Sequence, residues 1–193
     1  MNEKMISFFN DKAEGWDSNR DDKNSSIPII AGLMGANENS KVLDIACGTG
    51  IMFDELIKLK VKKIVGIDIS DKMIEIAKEK YKDRSNLEIG CSDLLDFNET
   101  GFDIALMYNA YPHFLEKERV IKHIYERLNK GGRFIIAHGS GKDKINQCHK
   151  NVPHDISTKL LCADVEGERL KKYFNVDILI DTPYLYVVSG IAK

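Results

Sequence analysis

The middle of the sequence repeats one pattern: a short run rich in Val, Ile, Leu or Phe, a turn, and a longer stretch with apolar residues at helical spacing. The predicted strands are Lys41–Ala46, Lys63–Asp68, Leu87–Cys91, Phe102–Met107 and Arg133–His138. The predicted helices between them are Ile51–Lys60, Asp71–Asp83 and Glu116–Asn129. Strands so uniformly apolar suit a parallel sheet that is covered on both faces. The pattern therefore predicts an α/β fold with a doubly wound, mostly parallel sheet.

The end of the chain follows a different pattern. Asp164–Tyr173 is predicted to be a helix, and Val176–Thr182 and Leu185–Ile191 are predicted strands with Pro183 at the turn between them. A parallel return needs a crossover of about a dozen residues or more. The last two strands must therefore pair antiparallel.

The chain has 193 residues, of which 43% are hydrophobic, and this size and composition suit a single domain over residues 1–193. Two segments lie outside the predicted sheet. Residues 1–39 contain helix signals at Glu3–Ala13 and Ser26–Leu33, and they are predicted to form a helical N-terminal lid. The polar residues 139–157 are a possible second lid, over the substrate.

The charge balance argues against nucleic acid as a partner. Lys and Arg number 28 and Asp and Glu number 30, so the net charge is -2 and no positive excess attracts a phosphate backbone. No apolar stretch approaches the roughly 18 residues that a membrane span needs, and the N-terminus shows no signal-peptide pattern. We expect a cytoplasmic protein without a nucleic acid or membrane partner.

The most specific motif is Val42–Gly50, in which a buried strand runs into a glycine-containing turn that opens a helix. Glycines at such a turn let the backbone approach a ligand lying across the strand end. A dinucleotide-binding turn would carry a third glycine on the helix, where this chain has the bulky Phe53. An NAD-linked oxidoreductase is therefore disfavoured.

The stretch Leu43–Gly50 resembles the first motif of the class I S-adenosylmethionine-dependent methyltransferases. The resemblance implies that Ala46, Gly48 and Gly50 meet the amino-acid end of the cofactor. It gives Asp44 a supporting contact to this end, often through water. Ala46 replaces the first glycine of the commonest pattern, as in many members of the family.

Asp68 ends the second predicted strand. A carboxylate at this position can accept hydrogen bonds from both hydroxyls of a ribose. The resemblance gives Asp68 this role and places Ile69 and Met73 against the adenine face.

The third predicted strand leads into Gly90–Phe97, which resembles the adenine-edge motif of the same family. The resemblance implies that Ser92, Asp93 and Leu94 bind the cofactor. Asp93 would accept from the exocyclic amine, and the backbone N–H of Leu94 would meet the ring.

The fourth predicted strand ends in a segment that resembles the family's fourth motif, next to the transferable methyl group. Methylases of nucleic-acid amines carry Asn or Asp, two prolines and an aromatic residue here, whereas this chain has Asn109-Ala110-Tyr111-Pro112. The small-molecule group is the better match, and Asn109 is a candidate cofactor ligand. Near the N-terminus, the segment around Phe9 and Trp16 resembles the aromatic segment that closes over the cofactor, which makes Trp16 a further candidate.

The resemblance covers nearly the whole chain and implies seven strands in the order 3-2-1-4-5-7-6, with strand 7 antiparallel. It implies S-adenosylmethionine as the cofactor and S-adenosylhomocysteine as the product. Methyl transfer from a sulfonium is an in-line displacement in which a general base is optional. The candidate catalytic residues are His138, His113, His149 and Tyr111. Each of these side chains has an alternative role in packing or in a solvated loop.

Two further questions stay open at this level. A metal held by His138, His149 and either Cys148 or His154 is conceivable, but their spacing is irregular and we predict no metal. The predicted activity is methyl transfer to a small-molecule acceptor. The alternatives are methylation of a protein or RNA group, or a protein that binds the cofactor without catalysis. The acceptor atom is not predicted, because this scaffold serves O, N, S and C acceptors alike.

Overall fold

The structure, a computed structural model, describes residues 3–18 and 26–193. The strands are β1 Lys41–Ile45, β2 Lys63–Asp68, β3 Leu87–Cys91, β4 Phe102–Tyr108, β5 Leu128–His138, β6 Phe174–Asp181 and β7 Tyr186–Ala192. The helices are α1 Glu3–Ala13, α2 Ile27–Met34, α3 Phe53–Lys58, α4 Asp71–Tyr81, α5 Lys117–Tyr125, α6 Lys142–Cys148 and α7 Ala163–Leu170. Within the described ranges, none of these helices has the length and apolar character to cross a membrane.

The strands form one sheet in the order β3-β2-β1-β4-β5-β7-β6. β1 to β5 run parallel to one another, and β7 pairs antiparallel with both β5 and β6. The predicted α/β class, strand order and antiparallel seventh strand are confirmed. Because the order reverses at β1, which lies between β2 and β4, the loops after these strands open a crevice at their carboxyl ends.

The sheet divides the apolar core into two layers. Val42 packs with α2, α3 and α4, whereas its neighbour Leu43 packs with α5 and α7. Successive strand residues point to opposite faces, so both faces of the central strands are buried. This double burial explains why β1 and β4 are almost uninterrupted apolar runs.

The boundary between α5 and β5 differs from the prediction. The helix predicted over Glu116–Asn129 ends at Tyr125, and β5 begins at Leu128 rather than at Arg133. Leu128 pairs with Phe102 at the start of β4, and the register shifts after this pair. Strand pairing therefore extends β5 backwards through the glycines that were expected only to end the helix. The helix predicted over residues 51–60 is also shorter, as α3.

Residues 139–157 are not a simple polar loop, because they contain α6. The backbone N–H of Gly141 donates to the carbonyl of Pro183 at 3.1 Å, which fixes the start of α6 to the turn between β6 and β7. The side chain of Asn146 exchanges two hydrogen bonds with the backbone of Leu160, at 2.8 and 2.9 Å. Helix α6 is thus anchored at its start and within its second half, and the role of residues 139–157 as a lid stays a prediction.

Gly66 in β2 tests how closely α3 packs on the sheet. An added Cβ would clash with the ring of Phe53 and lie 3.1 Å from Sγ of Cys47. We expect Gly66→Ala to lower the free energy of unfolding by about 1–3 kcal/mol, since overpacking strains a filled core. Urea denaturation measures this change. Gly32→Ala in α2 is the control: a Cβ there meets nothing within 4 Å, and the variant should be unchanged or stabilised by up to about 1 kcal/mol. Equal destabilisation of both variants would contradict the prediction.

Candidate active site

A cavity of about 410 Å³ lies at the carboxyl ends of β1, β2, β4 and β5. This is the topological switch point of the sheet, where ligands of open α/β folds bind. Its apolar and aromatic walls carry a few polar groups, which is typical of small-molecule sites. Of the residues singled out from the sequence, the following line it: Ala46, Gly48, Asp68, Ile69, Met73, Ser92, Asp93, Leu94, Asn109, Trp16, His113, His138 and His149.

The loop after β1 turns sharply because it uses left-handed backbone conformations. Ala46 has φ 56°, Gly48 has φ 56° and Gly50 has φ 87°. Ala46 and Gly48 line the cavity, whereas Gly50 does not. A Cβ on Gly50 would lie 2.5 Å from Cδ2 of Phe53 and 2.9 Å from Cε2 of Tyr81. Gly50 therefore lets the loop pack on α3 and α4, and its contact with a ligand stays a prediction.

Asp44 lies beneath this loop rather than at the cavity surface. It is fully buried, and its Oδ2 atom has no hydrogen-bond partner within residues 3–18 and 26–193. Burial, and secondly the charge of Asp68, raise the pKa of Asp44 from 3.8 to about 8. The predicted supporting contact of Asp44, often through water, stays a prediction. A contact of Asp44 with the amino-acid end of a cofactor would need an intermediary.

Asp68 connects the end of β2 with the loop after β1 and with the turn before α4. Its Oδ2 accepts a hydrogen bond from the backbone N–H of Gly48 and its Oδ1 accepts one from that of Ser70, both at 2.9 Å. Burial raises the pKa of Asp68, and these backbone donors oppose that increase. The side chain is 8% exposed and faces the cavity. Its remaining lone pairs are placed for the hydroxyls of a ligand.

The cavity wall beside Asp68 is formed by the ends of β2 and β3. Ile69 and Met73 supply apolar surface, and the Oγ of Ser70 caps α4 by accepting from the N–H of Met73 at 3.2 Å. After β3, Asp93 accepts from the N–H of Leu95 at 2.9 Å, which holds a single turn of 3₁₀-helix. Ser92 and Leu94 flank this aspartate along the wall. The arrangement is a flat apolar slot with carboxylates at its edges.

The segment after α1 is fastened over the loop that follows β1. Asp17 accepts from Oγ1 of Thr49 at 2.6 Å and from Nζ of Lys80 at 2.9 Å. These bonds hold Trp16 at the cavity, with its Nε1 3.8 Å from the position of a Cβ on Gly48.

Helix α1 is fastened to the start of α4 in the same way. The side chain of Asn10 accepts from Oγ of Ser70 at 2.6 Å and donates to Asp71 at 2.7 Å. Phe9 and Met5 of α1 line the cavity. The part of the predicted N-terminal lid at residues 19–25 and 1–2 lies outside the described residues.

Three histidines lie at the other end of the cavity, beside β4 and β5. His138 is 1% exposed, and neither ring nitrogen has a hydrogen-bond partner within the described part of the chain. Burial, and then the neighbouring His149 and His113, lower its pKa to about 3.

His113 and His149 differ from His138, because each has a polar partner. Nδ1 of His113 donates to the carbonyl of Ile156 at 3.0 Å, and burial lowers the pKa of His113 to about 4. Nδ1 of His149 lies 3.2 Å from Oγ of Ser157, and burial lowers its pKa as well. All three imidazoles are therefore neutral near pH 7.

Asn109 connects the ends of β4 and β5. It has φ 53°, and its Oδ1 accepts from the N–H of Gly139 at 3.0 Å.

Tyr111, by contrast, does not reach the cavity: it is fully buried, and its hydroxyl donates to Glu166 at 2.8 Å. The turn after β4 directs Tyr111 into the core beside α5 and α7, so its predicted contact with substrate is corrected to a structural role.

Sequence reasoning did not identify several residues of the cavity wall. They are Cys47, Ile51, Leu95, Phe114, Leu115, Val120 and Ile145. Nearly all are apolar or aromatic, and in a sequence such residues look like ordinary core.

Within residues 3–18 and 26–193, no group of three or more His, Cys, Asp or Glu could hold a metal ion.

Residues 43–136 match the family model described as a methyltransferase domain. The demethylmenaquinone methyltransferase of Symbiobacterium thermophilum is 34% identical over 106 residues, covering 51% of this chain and 42% of that protein. The sterol 24-C-methyltransferase of Debaryomyces hansenii is 30% identical over 183 residues, covering 84% of this chain and 48% of that protein. The chain thus spans less than half the length of these two relatives.

Among solved structures, magnesium protoporphyrin IX methyltransferase from Synechocystis PCC 6803, with bound S-adenosylhomocysteine, superposes with a TM-score of 0.76. It is 16% identical, and the superposition covers 100% of both chains. The fold is therefore that of the Rossmann-like methyltransferases. The chain is thus similar to the class I S-adenosylmethionine-dependent methyltransferases in its fold and, over residues 43–136, in its sequence.

The buried Asp44 predicts a characteristic pH dependence of stability. Because folding raises its pKa from 3.8 to about 8, its stabilising contribution is complete below about pH 4 and is lost as the pH rises towards 8. An asparagine side chain cannot ionise, so Asp44→Asn should gain stability relative to the wild type between pH 5 and 8. We expect the difference in melting temperature to grow by about 2–4 °C or more. Thermal melts at both pH values measure it. The exposed Asp83→Asn should show a constant difference, and a constant difference for Asp44→Asn would contradict the prediction.

Proposed function

We propose that this chain binds S-adenosylmethionine and transfers its methyl group to a small-molecule acceptor. One observation carries the proposal: Asp68 at the end of β2 is bonded to Gly48 in the loop after β1 at the bottom of one cavity. That junction offers a close backbone approach and a buried carboxylate in the same place. A ligand with a ribose and a polar amino-acid tail fits both features.

The residues of the cavity fit the two ends of this cofactor. The slot beside Ile69 and Met73 suits adenine, with Asp93 at the edge where an exocyclic amine would lie. The turn at Gly48 suits the amino-acid end. Among the described residues that line the cavity none is Lys or Arg, so nothing in this wall repels a positively charged sulfur.

When bound, S-adenosylmethionine supplies a methyl group on a sulfonium, and in-line displacement leaves the electron pair of the broken bond on sulfur. The chain itself needs to align the acceptor and exclude water. Asn109 stands between the cofactor end and the acceptor end of the cavity and is held by the N–H of Gly139. Phe9 and Trp16, on the N-terminal segment, cover the cavity and shield it from solvent. We assign residues 1–39 the role of a lid on this basis, and residues 139–157 that of a second lid that carries His149.

The proposal of a small acceptor rests on the size and walls of the cavity and on the net charge of -2. The names of the relatives also refer to small molecules. The neutral histidines beside Asn109 favour catalysis over passive binding of the cofactor, because they can position an acceptor. Release of S-adenosylhomocysteine across a panel of small acceptors tests the activity. Location in the cytoplasm stays a prediction from the sequence.

Asp68→Ala is the direct test of the cofactor site. The change removes a buried carboxylate that fixes the loop and is placed for two ribose hydroxyls. We expect the affinity for S-adenosylhomocysteine to fall about a hundredfold, as for the loss of charged hydrogen bonds. Calorimetry measures the affinity, and circular dichroism confirms folding. Asp83→Ala, an exposed aspartate after α4, is the matched control and should bind as the wild type does. Unchanged affinity in Asp68→Ala would remove the ribose assignment.

Asp17→Ala tests the lid. Without the bonds to Thr49 and Lys80, the segment around Trp16 should open more often, and bound S-adenosylhomocysteine should dissociate about tenfold faster. Trp16 is the single tryptophan of the chain, so its fluorescence reports on this site in a stopped-flow experiment. Asp11→Ala, an exposed aspartate on α1, is the control. Equal dissociation rates in the two variants would show that this segment does not retain the ligand.

A further inference from the structure

The acceptor end of the cavity contains a polar side chain that the fold does not satisfy. His138 is almost completely buried at the end of β5, and neither Nδ1 nor Nε2 has a hydrogen-bond partner within residues 3–18 and 26–193. Its nearest ring contact is Tyr186, edge to face, with the centroids 5.8 Å apart. Buried polar groups without partners are rare, because each costs free energy. Two of them on one ring at a ligand cavity indicate that a ligand supplies the partner.

The charges around the acceptor end are unsuited to a charged acceptor. Of the lining residues that the structure describes, none is Lys or Arg. The nearby Lys117 does not line the cavity, and its Nζ donates to the carbonyls of Tyr111 and Phe114 and to Oγ1 of Thr158. A carboxylate or phosphate would therefore lack a direct counter-charge. Asp68 and Asp93 lie at the opposite end of the cavity, at the carboxyl ends of β2 and β3. Glu116 lies at the rim, is exposed, and is paired with Arg119 at 3.1 Å. An ammonium would therefore meet only neutral imidazoles beside a sulfonium.

The walls of the acceptor end are formed mainly by the rings of aromatic and histidine side chains. Phe9 meets His113 edge to face, and His113 lies against His149, with 4.9 Å between the centroids in both pairs. The hydrogen bond from Nδ1 of His113 to the carbonyl of Ile156 fixes the orientation of this ring series. Phe114 completes the wall. Flat faces of this kind suit an aromatic ligand, since rings prefer offset or edge-to-face contacts.

We propose, on the basis of the function proposed above, that the methyl acceptor is a small uncharged aromatic molecule with a hydroxyl or ring N–H group, and that His138 binds this group. A neutral imidazole carries one donor and one acceptor nitrogen. A hydroxyl matches it in either orientation, and a ring N–H satisfies the acceptor nitrogen. His138 orients the acceptor and does not serve as its base, which agrees with a pKa lowered to about 3 by burial.

The test measures binding without turnover. In the presence of S-adenosylhomocysteine, ligand-observed NMR titrations compare para-ethylphenol with ethylbenzene, para-ethylbenzoate and para-ethylbenzylammonium. We expect para-ethylphenol to bind about tenfold more tightly than ethylbenzene, the ratio for one hydrogen bond, and more tightly than either charged probe. In His138→Phe, which keeps a ring but no nitrogen, the ratio of para-ethylphenol to ethylbenzene should fall to about 1. His138→Gln, whose amide donates and accepts, should restore part of it.

A matched control separates this effect from general damage to the site. His154 is exposed and lies outside the cavity wall, so His154→Phe should keep the wild-type ratio. A preference for a charged probe, a lack of binding by both neutral probes, or a ratio that survives in His138→Phe would each overturn the inference. Fluorescence titration of each protein with S-adenosylhomocysteine shows whether a negative result concerns the cofactor site or only the acceptor. Wild type without affinity for it would refute the proposed function, whereas wild type with affinity but without the preference for para-ethylphenol would refute only this inference.

Discussion

The carboxylate of Asp68 is the interaction on which the site depends. It is buried at the one point where the sheet reverses its order, and it accepts from backbone donors of the loop after β1 and of the turn before α4. An unpaired carboxylate there would be costly, so the two N–H groups and the aspartate require each other. The same bonds hold the left-handed turn at Gly48 close to the strand end. The position of the loop, the first turn of α4 and the polar edge of the cavity thus follow from one side chain.

The N-terminal segment and residues 139–157, which both line the cavity, are held mainly by short hydrogen bonds and ring contacts. Asn10 and Asp17 tie the N-terminal segment to α4 and to the loop after β1. Lys4 and Asp155 also meet at 2.7 Å and connect α1 with residues 139–157, but both are largely exposed, and such pairs contribute little. The ring series from Phe9 to His149 joins the same two segments inside the cavity. Because these rings are partly buried, this is the stronger connection of the two.

The candidate site divides into residues that local pattern could identify and residues that only packing defines. Asp68 and Asp93 follow strands whose carboxyl ends must meet, so their place in one cavity could be inferred. Asp44 and Tyr111 lie next to such positions, yet the pleat of β1 and the turn after β4 direct their side chains away from the cavity. Burial raises the pKa of both groups, and neither residue lines the cavity. A motif tells which residues are close together in the chain, but it does not tell whether a side chain points towards the cavity or into the core.

The sequence by itself determined the class of the fold, the antiparallel pairing of the last two strands and the glycine turn with its acidic partner, whereas the order of the strands was implied by the family resemblance. These features follow from local apolar periodicity, from the short link between the last two strands and from backbone conformations that few residues adopt. Only the tertiary structure decided which histidines share one end of the cavity, that His138 is buried without a hydrogen-bond partner among the described residues, and that no described lining residue is Lys or Arg. These properties arise from the convergence of β4, β5, α1 and residues 139–157, which are distant in the chain. Burial and the lack of a hydrogen-bond partner depend on every neighbouring atom in space, and therefore no local pattern could contain them.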